Sequence, residues 1–146
     1  MSGKRLIGGF LVFLALFAAA LIYAQFFAYY VRVRDLATLT IDGATVPIGA
    51  YDGIDASSSP LKLRGCFLIN PSLVQPLPPV KDATPLNPPF WFRCFDTGRL
   101  TRDLASGAAL AYSVARDQPK GFDTMIAVYP DGRGYLWRQL GASLAD

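Results

Sequence analysis

The stretch Thr124-Met-Ile-Ala-Val-Tyr129, Pro130-Asp-Gly-Arg-Gly134, Tyr135-Leu-Trp-Arg-Gln-Leu140 decides the fold. Two apolar, aromatic runs flank Asp131-Gly132, and glycine accepts the positive φ that tight hairpin turns need. A C-terminal β-hairpin is therefore predicted. Just upstream, Ala109 to Val114 is a further predicted strand. Before that, Asp96 or Thr97 can cap a short helix in which Leu100 and Leu104 form the i, i+4 apolar pair and Gly107 is the stop. Ala37-Thr-Leu-Thr-Ile41 alternates and turns at Asp42-Gly43, and a short extended piece follows from Thr45 to Ile48. Tyr51-Asp-Gly-Ile-Asp-Ala-Ser-Ser-Ser-Pro60 carries turn residues throughout and is predicted as turn, and Leu61 to Ile69 as a strand. Residues 35–146 are thus expected to form one small α+β domain, a mostly antiparallel β-sheet with one short helix and a C-terminal hairpin. No internal repeat is visible.

Between Pro71 and Pro89 stand seven prolines in 19 residues. Each removes a backbone donor and fixes φ, so neither a helix nor a central strand survives that density. Residues 71–89 are expected to be a long irregular loop of a single domain, of a length often given to function or to a partner.

Composition narrows the chemistry. The chain has no histidine, and all 11 acids are aspartates. The commonest general base and metal ligand is therefore missing. The two cysteines, Cys66 and Cys94, stand too far apart in sequence for a CxxC motif and too few for a four-ligand zinc site. No catalytic, cofactor-binding or metal-ligating residues are assigned, and no cofactor is expected. In an oxidising compartment Cys66 and Cys94 could pair, which would add roughly 3–4 kcal/mol by closing the chain between them. Two buried free thiols fit the sequence equally well. The cluster Asp52, Asp55, Ser57, Ser58 and Ser59 lacks the alternating ligands of a calcium loop and is expected to bond its own backbone. Arg93, Arg99 and Arg102 with Asp96 and Asp103 could surround an anion at the short helix, but ordinary surface pairs are the better expectation.

From Leu6 to Val31 no residue carries a formal charge, and Gln25 is the one strongly polar side chain. Such a helix would be roughly 39 Å long, ample for a hydrocarbon core of about 30 Å. Tyr23, Phe26, Phe27, Tyr29 and Tyr30 crowd its end, as an interfacial aromatic belt would. Ala18-Ala-Ala20 could serve as a signal-peptidase site, but the chain stays largely apolar to Val31, so an uncleaved signal-anchor is expected. Four of the 14 basic residues (Lys4, Arg5, Arg32 and Arg34) flank the segment, which leaves ten against 11 acids in the head. The basic balance thus belongs to the membrane flanks, and no nucleic-acid partner is expected. Lys4 and Arg5 on a short tail favour residues 1–5 in the cytoplasm, 6–31 across the membrane and 35–146 outside it. Ala20, Ala24 and Ala28 form a small-residue stripe against which a partner helix could pack.

The runs Asp52-Gly-Ile-Asp-Ala-Ser-Ser-Ser-Pro60 into Arg64-Gly-Cys-Phe67, Trp91-Phe-Arg-Cys-Phe-Asp96 and Ala127-Val-Tyr-Pro-Asp-Gly-Arg-Gly-Tyr-Leu-Trp137 carry a resemblance. Over nearly the whole chain the sequence resembles a group of small membrane-anchored proteins from Rhodobacter-like alphaproteobacteria, an uncharacterised family with a domain of unknown function. The resemblance implies a Gram-negative inner-membrane protein with a periplasmic head, and implies no activity or site. A histidine-kinase assignment is excluded by the lack of histidine and of an ATP-binding motif. The expected role is a non-enzymatic accessory protein, a subunit or assembly factor of a larger inner-membrane complex such as a respiratory one, with an integral-membrane protein as partner. The alternative is a periplasmic ligand-binding or envelope-sensing module.

Overall fold

The computed structural model describes residues 2–141. It divides into two compact units, residues 1–30 and 31–146. The first is built on α1 (Gly3–Phe26), whose side chains are all exposed and which is long and apolar enough to cross a membrane. Ser2 caps its start by accepting from Arg5 N.

α1 is shorter than the span expected from 6 to 31. Phe27 N and Ala28 N both donate to Tyr23 O, and Tyr29 then takes a positive φ of 70° that ends the helical path. Tyr30-Val-Arg-Val-Arg34 continues as strand β1, because aromatic and β-branched residues fit a sheet that offers them backbone partners. Ala28 therefore lies in the turn after α1, and only Ala20 and Ala24 of the expected stripe are on the helix.

The second unit carries β2 (Thr38–Ile41), β3 (Ala44–Pro47), β4 (Gly49–Ala56), β5 (Arg64–Leu68), α2 (Thr97–Ser106), β6 (Leu110–Ala115), β7 (Phe122–Val128) and β8 (Arg133–Leu140). β2 and β3 form a separate hairpin across Asp42-Gly43, both at positive φ, which matches the twist of paired strands. The other six strands make one sheet in the order β1-β4-β5-β8-β7-β6, with antiparallel pairing from β4 through β6. The head is α+β, with the predicted C-terminal hairpin β7–β8 running from Phe122↔Leu140 to Val128↔Gly134.

β4 corrects the expectation of a turn over Tyr51–Pro60. Its central glycine, Gly53, stands beneath an aromatic ring, where a side chain would not fit. A Cβ on Gly53 would lie 2.5 Å from Tyr51 Oη and one on Gly65 2.8 Å from it, and these two glycines are cross-strand partners. Phe67 likewise covers its partner Gly134 on β8. An aromatic ring laid over a glycine pair fills the space that two missing side chains leave. The strand after it also begins later than expected. Pro60 starts a 3-10 turn to Lys62, so β5 opens at Arg64.

β7 is buried on both faces from Asp123 to Val128, which explains its unbroken apolar run. On one face Ile126, Val128, Leu136 and Phe67 meet Ile41 of the small hairpin and Val74. On the other, Trp137 and Tyr135 take the edge of Phe95, and Tyr129 Oη donates to Asp103 of α2. Asp96 caps α2 by accepting from Arg99 N at 3.1 Å, Leu100 is buried, and Gly107 ends the helix at φ 83°.

Cys66 on β5 and Cys94 form a disulfide with an S–S distance of 2.10 Å and a sequence separation of 28. It pins the end of the proline loop to the middle of the sheet. In the chain-entropy account such a closure is worth about 3–4 kcal/mol. The double variant C66A/C94A is expected to lower the unfolding free energy by about that amount. Urea titration in mild detergent checks this, and an unchanged midpoint would show that other contacts alone hold the loop.

Candidate functional site

A proline-rich segment keeps its carbonyl acceptors while losing its N–H donors, so it cannot satisfy itself. Here the sheet's side chains supply what is missing. Gln139, buried on β8, donates from Nε2 to Asp82 O at 2.8 Å. Its Oε1 accepts from Thr84 N at 2.7 Å and from Trp137 Nε1 at 3.0 Å. Arg64, only 3% exposed, donates to Leu86 O at 2.9 Å, to Asn87 O at 3.4 Å and to the carbonyls of Leu61 and Leu63. Its guanidinium lies 5.8 Å from the Phe95 ring centre. Thr97 Oγ1 adds a second donor to Leu86 O at 3.1 Å. Val80 N reaches Ala111 O at 2.8 Å, laying the loop along β6 as a short bridge. Among the described residues every buried side-chain nitrogen and oxygen has a partner.

An ionic clasp closes one side. Arg116 donates to both oxygens of Asp82, at 2.7 and 3.0 Å, and to Asp123 Oδ2 at 2.8 Å. Asp123 also accepts from Asp117 N at 3.0 Å. The hydrogen bonds from Arg116 hold the Asp82 carboxyl below the ordinary carboxylate range, and the two aspartates hold Arg116 above its own.

The loop fixed in this way walls a cleft of about 590 Å³. Pro79, Val80, Lys81 and Ala83 form one side, Thr101, Leu104 and Ala105 of α2 the other, and Ala109, Leu110 and Ala111 the floor. The volume falls within the range of small-ligand and peptide side-chain sites. Of these lining residues only Lys81 ionises. The chemistry on offer is the burial of an apolar group with one cation at hand, and the lining holds no paired acid and base.

The residues singled out from sequence lie elsewhere. Asp52 is held by Arg32 through two bonds of 3.0 and 2.7 Å and approached by Arg34 at 3.7 Å. Asp55 accepts from Ala56 N, Ser58 from Lys62 Nζ, and Ser59 from Leu61 N. That cluster serves turns and ion pairs. Asp96 is the cap of α2, and Arg99 and Asp103 stand 3.9 Å apart along the helix. No group of three or more potential metal ligands occurs among the described residues. Arg64, Gln139 and Arg116, which build the cleft wall, were not singled out from the sequence. The available signal was slight, single polar residues at the start of β5, near the end of β8 and just after β6.

Two consequences are measurable. Lysine lacks the fork that serves several carbonyls at once, so R64K is expected to cost about 2–3 kcal/mol, read from urea unfolding. Asp82 has a folded-state pKa below its ordinary 3.8, so its contribution is complete above that value and is lost as pH falls through the lower one. D82N should therefore flatten the fall in thermal midpoint below about pH 4, and by little, since exposed pairs contribute about 1 kcal/mol or less. An unchanged acid limb would show that the clasp does not stabilise the fold.

No curated protein and no solved structure matches the chain. A family model does, over residues 35–145, which is the head from the end of β1 onward and includes the cleft, the clasp and both cysteines. The chain belongs to the family of unknown function DUF6446.

Proposed function

We propose that this protein is a membrane-anchored, non-enzymatic accessory protein, a subunit or assembly factor of a larger inner-membrane complex, whose head seats an apolar segment of an integral-membrane partner in the proline-loop cleft. The observation that carries this reading is the cleft itself, walled by Pro79, Val80, Leu104 and Ala105 with Lys81 as its single ionisable lining group. A preorganised apolar hollow of this kind binds, because ordering entropy has already been spent in folding the loop. On this reading α1 is the anchor, Lys4 and Arg5 stay in the cytoplasm, and the head lies in the periplasm. The Cys66–Cys94 disulfide supports that side of the membrane, since such bonds persist in oxidising compartments.

The cleft volume of about 590 Å³ also suits a small apolar ligand, which favours an envelope-sensing module as the second reading. One experiment separates the two. C-terminally tagged protein is purified from its native membrane in mild detergent, and co-migrating proteins are identified by mass spectrometry. A stoichiometric integral-membrane partner is expected, and A105W, which fills the cleft from an exposed helix position, should reduce its recovery at least tenfold. Recovery of a lone protein would sink the accessory reading, and a bound small molecule lost in A105W would establish the second.

A further inference from the structure

The turn Phe27-Ala28-Tyr29 is all that separates α1 from β1. Arg32 follows the last residue of α1 by six positions in the chain. Within the head, Arg32 Cζ stands 5.7 Å from the centre of the Phe92 ring. Next along the chain, Phe90 is 69% exposed, Trp91 is half-buried with its ring edge-on to Phe92 at 6.4 Å, and Arg93 is exposed. Arg34, two residues beyond Arg32, is also exposed. One corner of the head thus carries an exposed phenyl ring, an indole and three guanidinium groups, and Asp52 is the acid paired with Arg32 and Arg34 there.

That combination suits the headgroup layer of a bilayer. Indole and phenyl groups settle at the level of the lipid carbonyls, and guanidinium groups bind phosphate through paired hydrogen bonds. A basic, aromatic surface tethered within a few nanometres of an anionic leaflet meets it at high effective concentration. We infer that the corner formed by Phe90, Trp91, Arg34 and Arg93 is a second membrane contact, which seats the head in the anionic headgroup layer of the bilayer that α1 enters. This surface is independent of the cleft, but it rests on α1 being the anchor.

The protein carries its own probe. Of its two tryptophans, Trp137 is fully buried in the head and Trp91 is at the proposed contact. The full chain is reconstituted into liposomes of phosphatidylcholine with phosphatidylglycerol, brominated on the acyl chains either near the headgroup or deep. Shallow bromines should quench emission at least twofold more than deep ones, and W91F should abolish the difference. F90D with R34E should at least halve it, and so should omission of the anionic lipid. Equal quenching in wild type and W91F would overturn the contact. So would free quenching of Trp91 by iodide, or protection of Trp91 in native membranes but not in pure lipid, which would assign the corner to a protein. Failure to co-float with liposomes would overturn the anchor and the contact together, whereas co-flotation without Trp91 quenching overturns the contact alone.

Discussion

The carbonyl groups of the proline loop set the terms for the rest of the head. A buried acceptor without a donor costs about 1–3 kcal/mol, and a segment this rich in proline has few donors of its own. The sheet answers with Arg64 and Gln139 and the start of α2 with Thr97, whose side chains reach the loop carbonyls at 82, 86 and 87. Burying a guanidinium in β5 is costly, and it is offset because several carbonyls and the face of Phe95 share the charge. The loop so bonded becomes one wall of the cleft, and α2 the other.

The same dependence explains what the sequence disclosed. The C-terminal hairpin, α2 with its Asp96 cap and Gly107 stop, and the Asp42-Gly43 turn were all legible, because each is decided by residues within a few positions of one another. β4 was not. Asp52-Gly-Ile-Asp looks like turn chemistry until Tyr51 is placed over Gly53 and Gly65, a relation that exists only once β5 is alongside. The end of α1 escaped for the same reason. Phe27 to Val31 is apolar enough to extend a membrane helix, and the offer of backbone partners from β4 draws Tyr30 and Val31 into the sheet.

The cleft was the least legible feature. Its lining is mostly alanine, valine, leucine and proline, which carry no chemical signature in a chain that is 52% hydrophobic. Its supports are single polar residues, Arg64, Gln139 and Arg116, whose partners in the loop and in β7 are 7 to 57 positions away. Local sequence reading finds clusters, and here the polar clusters at Asp52–Ser59 and around α2 are spent on turns, caps and surface ion pairs. The cysteines were visible as a pair, while their distance was not.

The strand order has a mechanical meaning of its own. β1, β4 and β5 come from the chain before the proline loop, β6, β7 and β8 from the chain after it, and the two triplets meet along the β5–β8 seam. The head is in effect two three-stranded pieces zipped along one line. A protease nick anywhere from Pro71 to Pro89 would leave two fragments that share that seam and remain covalently joined through Cys66 and Cys94. A cut through the wall of the cleft would thus leave the sheet joined both along the seam and through the disulfide.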